Sequence, residues 1–180
     1  MTRDPTLARK HVRVESLHES HPRIRAEDWR SPLVARLIDE ADYADGTRSM
    51  AVSYRDEKGH LSEAEVTLAW SGLESDYTKC IKTYQGATLT EFAALAVACI
   101  LCHERNLEIT EVTRRGEKVD YWLGERESLL EVSGTRDGDL EQLCDRKATQ
   151  QLLRNPFGKA GFVCVARFER PAARLWHYPV

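Results

Sequence analysis

The spacing of apolar positions changes several times along this chain, and each change marks an element. From Met1 to Arg30 the sequence is polar, carries His11, His18 and His21 at irregular intervals, and sustains no period. That stretch reads as a poorly ordered, solvated arm. Ser31-Pro32 then has the character of an N-cap and first helical position, and Leu33, Val34, Leu37 and Ile38 form a short apolar stripe that ends at Asp45-Gly46. Met50 to Tyr54 and Ala64 to Trp70 are strand-like runs on either side of Asp56-Glu57-Lys58-Gly59, a hairpin signal. Residues 1–86 therefore read as a small N-terminal α+β extension.

Residues 87–180 give a clearer order. Thr88 and Glu91 have capping-box spacing, in which a hydroxyl and a carboxylate satisfy free N–H groups at a helix start. The helix expected from Leu89 to Glu104 is apolar on nearly every side, so it should be buried. Leu107–Thr113, Lys118–Leu123 and Ser128–Ser133 follow as three short antiparallel strands, joined by turns at Arg115-Gly116 and Gly124–Glu127. A helix from Leu140 to Leu153 and a strand from Phe162 to Phe168 complete the order α-β-β-β-α-β.

The second hairpin has a computable register. With its turn centred between Glu125 and Arg126, Asp120 faces Glu131, Trp122 faces Leu129 and Lys118 faces Ser133, all on one face of the sheet. Opposed carboxylates repel unless a cation lies between them or one is protonated, and a divalent metal answers that need. In the following helix, a period of 100° per residue puts Leu140, Leu143, Cys144, Lys147 and Gln151 on one stripe. Lys147 and Gln151 thus occupy the face that meets the sheet.

The chain has 180 residues, 42% hydrophobic and 31% charged, with a net charge of −3. These values suit one globular unit and exclude collagen and wholesale disorder, and they give no global basic field, although charge is unevenly distributed along the chain. The longest apolar run, Phe92 to Cys102, is shorter than the roughly 20 residues a bilayer span needs, so no membrane insertion is expected. The N-terminus lacks the apolar region of a secretory signal, which points to the cytoplasm. Five cysteines in mostly apolar stretches read as reduced core thiols. Cys99-Ile100-Leu101-Cys102-His103 matches a haem-attachment pattern and could offer zinc ligands, but it sits within the most apolar helix and reads as structural. Cys80 is the one cysteine outside a clear apolar element, where a nucleophile would have to be.

The α-β-β-β-α-β order, an Asp on the second strand and Glu-x-Ser on the third resemble the core of the PD-(D/E)xK nuclease superfamily. The resemblance spans Thr88 to about Phe168. It implies an α/β (α+β) fold, with a restriction-endonuclease-like αβββαβ core over residues 87–180. It also implies a metal-dependent nuclease that hydrolyses phosphodiesters in DNA or RNA, DNA ahead of RNA. Val119-Asp120 stands for the PD pair and Glu131-Val132-Ser133 for (D/E)xK. Asp120, Glu131 and the Val132 carbonyl would then hold Mg²⁺ or Mn²⁺, with Glu91 as an additional acid. Ser133 replaces the motif lysine. Lys118 and Lys147 are the local candidates for a relocated one, Lys147 favoured by its stripe, and Gln151 is similar to the glutamine that follows the motif in RecB-family exonucleases.

Two other readings accompany this one. A degenerate nuclease-fold module would bind a nucleic acid or protein partner without cutting it, and an unrelated small cytosolic enzyme would need neither. The extension would serve substrate choice or homodimerisation.

Overall fold

The N-terminal stretch expected to be a solvated arm is folded from Ala8 onward. In the computed structural model, which describes residues 8–39 and 46–180, Ala8–Arg13 forms strand β1 and Leu17–Ser20 the single turn α1. Short 3-10 turns at Val14–Ser16 and Ala26–Trp29 complete the segment. Val14, Leu17 and Ala26 are buried at irregular spacing, because short turns carry them, and so no period shows in the sequence. His21 is also buried: its Nε2 donates to the Cys99 carbonyl at 2.8 Å while its Nδ1 accepts from the Ile109 N–H at 3.0 Å. Residues 1–7 and the Asp45 of the expected helix stop lie outside the described residues.

Helix α2 covers Arg30–Asp39 and buries Leu33, Val34 and Leu37. It starts one residue before Ser31, continuing directly from the 3-10 turn, so Ser31 lies inside the helix and is not its N-cap. Strands β2 (Thr47–Arg55) and β3 (Leu61–Ala69) pair antiparallel around the expected turn, with Met50 opposite Val66 and Val52 opposite Ala64. Helix α3, Glu74–Thr83, buries Cys80 alone among its described side chains and left no clear stripe in the sequence.

Helix α4 spans Gly86–Glu104 and begins upstream of the expected capping box. Gln85 is its N-cap, and Thr88 and Glu91 lie within the helix, so they do not cap it. Its first turn is tied to α2, where the buried Arg36 guanidinium donates to the Gly86 carbonyl. The chain continues with β4 (Ile109–Val112), β5 (Tyr121–Leu123), β6 (Ser128–Thr135), α5 (Leu140–Gln150), β7 (Gly161–Arg167) and β8 (Ala172–Tyr178). By length and composition α4 could cross a bilayer, yet the fold uses it as a core helix, with Ala93–Cys102 buried against α2 and the sheet.

The eight strands of the described residues form one mixed sheet in the order β1-β3-β2-β8-β7-β6-β5-β4. β4 with β5 and β5 with β6 are antiparallel, β6 with β7 is parallel, and β8 returns antiparallel to β7. The N-terminal extension joins through β2, which lies parallel to β8, so residues on both sides of Gly86 share one sheet and one hydrophobic cluster. Alternation divides the strands between two layers. Leu130, Val132, Phe162 and Cys164 face α4, whereas Leu129, Val163 and Val165 face α5.

The α4 layer packs closely enough to dictate a residue. A Cβ on Gly134 of β6 would lie 2.5 Å from the Thr90 carbonyl oxygen and 3.1 Å from Ala94 Cβ, so only glycine fits there. The α5 layer is set by its cap: the Asp139 carboxylate accepts from the N–H groups of Glu141 at 2.8 Å and Gln142 at 3.0 Å. Leu140, Leu143, Cys144 and Ala148 then face the sheet.

Candidate active site

The β5–β6 ladder has the register computed from the turn: Tyr121 pairs with Leu130, Trp122 with Leu129 and Leu123 with Ser128. The pairing runs one residue beyond β5, since the Asp120 N–H donates to the Leu130 carbonyl at 3.2 Å. Asp120 and Glu131 therefore meet across the hairpin on the α5 side. Asp120 Oδ2 accepts from the Val132 N–H at 2.7 Å, which fixes one of its oxygens against the backbone of β6. Lys118 departs from its expected place opposite Ser133. It adopts φ of +72°, which turns the chain out of the ladder before β5 begins.

Lys147 arrives from α5. One turn beyond Cys144 on the buried stripe, it sends Nζ to Glu131 Oε1 at 2.9 Å. Glu131 is 3% exposed, so this contact sits against a carboxyl withdrawn from water. Burial is the main force raising the Glu131 pKa, with the charge of Asp120 adding to it, and together they push it up to about 8 despite the lysine. Asp120 is raised too, again chiefly by burial, although the Val132 N–H and Lys147 act the other way. The two carboxyls interact directly, and their shared burial disfavours having both charged at once.

These groups form the floor of a cleft of about 440 Å³, lined by Asp120, Glu131, Lys147, Gln151 and Lys118. Five of the residues singled out in the sequence thus converge. Val132 contributes backbone alone, its side chain lying in the α4 layer. Glu91 stands apart: it is exposed on α4, the helix that covers the other face of the sheet, and does not line the cleft. Comparison of the chain with protein families, with curated proteins and with solved structures finds no match.

Arg114 and Arg115 also line the cleft, from the β4–β5 loop. The sequence offered a signal in two consecutive arginines ahead of a turn glycine, but a turn reading says nothing about where the turn points.

The other candidate chemistry resolves into packing. All five cysteines are free and buried. Burial raises the Cys102 thiol well above its ordinary pKa, and it raises Cys80 as well, the opposite of an activated nucleophile. Among the described residues no three His, Cys, Asp or Glu side chains gather as a metal-binding group. Any cation at the cleft would therefore have two carboxylates, with carbonyl and water oxygens for the rest.

Proposed function

We propose that the chain is a metal-dependent phosphodiester hydrolase acting on nucleic acid, with α4-β4-β5-β6-α5-β7 serving as a core of PD-(D/E)xK type. The observation that carries this reading is the Lys147 ammonium on Glu131, directly beside a second carboxylate, in an open cleft. Two acids and a lysine meet from three separate elements.

The donor set suits Mg²⁺ or Mn²⁺. Hard cations take carboxylate and carbonyl oxygen and keep several waters, so two carboxylates suffice from side chains. Burial and the adjacent Asp120 charge both disfavour an ionised Glu131, which marks where positive charge is wanted. Asp120, Glu131 and the Val132 carbonyl would hold the ion, which when bound supplies charge neutralisation at the phosphate and a more acidic water.

The chain's own groups divide the remaining work. Val132 N–H holds Asp120 in one orientation, leaving Oδ1 directed elsewhere. Lys147 orients the attacking water and offsets charge developing on the phosphate, which the half-buried Ser133 at the motif's third position cannot do. Gln151, which the structure places at the C-cap just past the end of α5 and so off the helical stripe, still lines the cleft and offers an amide to the phosphate or to that water.

Calorimetric titration of Mn²⁺ tests the reading without requiring turnover. Saturable binding in the wild type, lost in Asp120→Asn and in Glu131→Gln, is the expected result. No saturable binding, or binding unchanged in both variants, would overturn it. Metal binding without cleavage of any DNA or RNA would instead favour the non-catalytic module, to which Ser133 in place of lysine also points.

A further inference from the structure

The β4–β5 loop carries three cations that the fold leaves unneutralised. Arg114, Arg115 and Lys118 are exposed, line the same cleft as Asp120 and Glu131, and make no side-chain hydrogen bond or ion pair among the described residues. Nearby arginines behave differently. Arg126 is held by Glu111, with contacts of 2.7 to 3.0 Å, and Arg23 lies 2.6 Å from Glu125. Apart from Asp120 itself, the acid between β4 and β5, Glu117, is turned inward, its Oε2 accepting from the Arg114 backbone N–H at 2.6 Å.

The loop is also fixed relative to the carboxylates. Thr113 N–H donates to the Asp120 carbonyl at 2.9 Å, and its hydroxyl donates to the Val119 carbonyl. Glu117 N–H returns to the Arg114 carbonyl at 3.0 Å, closing a tight turn through Gly116 at φ of +93°. A cation cluster pinned to the backbone of Asp120 is held in register with whatever phosphate sits over that residue. Val112, 63% exposed, adds an apolar patch to the same wall.

We infer that this loop grips a nucleic-acid strand through the phosphates flanking the one over Asp120, and so makes the substrate a polynucleotide in preference to a mononucleotide or a small phosphodiester. The inference rests on the hydrolase reading for the chemistry at Asp120, but the grip itself needs no metal. Each phosphate contact contributes about 0.9 to the salt dependence of binding on duplex and about 0.7 on single strands.

The test is fluorescence anisotropy in EDTA with labelled duplex DNA, single-stranded DNA and RNA oligonucleotides as separate arms, across a salt series. The triple variant Arg114→Gln/Arg115→Gln/Lys118→Gln should bind the favoured oligonucleotide at least about 10-fold more weakly, with a log–log salt slope shallower by about 2 to 3. Unchanged melting will show that the triple variant folds, and Arg115→Lys should recover binding lost in Arg115→Gln. An unchanged slope and affinity in the triple variant, or no binding by the wild type to any arm at low salt, would overturn the loop assignment. Metal-dependent cleavage that survives alongside an unchanged slope rejects the loop and keeps the hydrolase. Loop-dependent binding with no cleavage does the reverse.

Discussion

Lys147 Nζ lies 2.9 Å from Glu131 Oε1, joining the buried stripe of α5 to the middle of β6. A lysine directed at a carboxylate that already faces another carboxylate is costly in a purely structural role, since a leucine on the helix and an apolar residue on the strand would pack there without desolvating charge. Lys147→Ala should lower cleavage by about 100-fold or more with little loss of stability. Lys118→Ala, altering an exposed loop cation, should do less. Steady-state rates on one oligonucleotide check both, and equal near-wild-type rates would remove the relocated lysine.

The raised Glu131 pKa has a definite consequence for stability. A carboxyl whose folded pKa exceeds its unfolded value favours the fold fully below the unfolded pKa of 4.5 and loses that contribution as pH rises through about 8. Metal-free protein should therefore lose stability from this group as pH rises from 4.5 through about 8. Glu131→Gln should remove that slope, and Mn²⁺ should stabilise the wild type more at pH 8 than at pH 5. Thermal melts in EDTA and in Mn²⁺ across that range make the comparison.

His21 titrates in the other direction. Because Nδ1 accepts the Ile109 N–H, the ring must be neutral there, and burial lowers its pKa more than the Cys99 carbonyl raises it. Its contribution is present above the ordinary 6.5 and falls away as pH drops towards the lowered value. His21→Ala leaves the Ile109 N–H and the Cys99 carbonyl unpaired and should cost about 2 to 4 kcal/mol. Chemical denaturation at pH 7.5 measures that loss, and a change below about 0.5 kcal/mol would contradict the buried clamp.

Gly134→Ala tests the packing of α4 on β6. Its Cβ would need backbone movement at Thr90, since the carbonyl there cannot rotate aside as a side-chain tip can, and the expected loss is about 1 to 3 kcal/mol. Gly116→Ala, strained by φ of +93° but in open space, should cost about 1 kcal/mol and alter loop-dependent binding more than core stability.

The parts legible in the sequence were those in which one local signal sufficed. The turn at Glu125-Arg126 fixed the Asp120–Glu131 pairing, and the helical stripe aimed Lys147 inward, both by periodicity alone. Elements whose burial depends on distant partners were not legible. β1 needs β3 beside it, and β8, between β7 and β2, joins segments more than a hundred residues apart. The capping box misled because α4 begins upstream of it, at Gly86, so that Thr88 and Glu91 fall inside the helix. Arg114 and Arg115 were hidden for a related reason, since the direction of a loop follows from hydrogen bonds to Asp120 and Val119 that the loop's own sequence does not announce.

Single-turnover cleavage of labelled DNA and RNA oligonucleotides by wild type, Asp120→Asn and Glu131→Gln, each in Mn²⁺ and in EDTA, tests the proposed hydrolase most directly. Cleavage by the wild type in Mn²⁺ alone, reduced at least about 100-fold in either variant, is the predicted result. Cleavage that persists in EDTA or in both variants, or its absence from the wild type on every substrate, would contradict it.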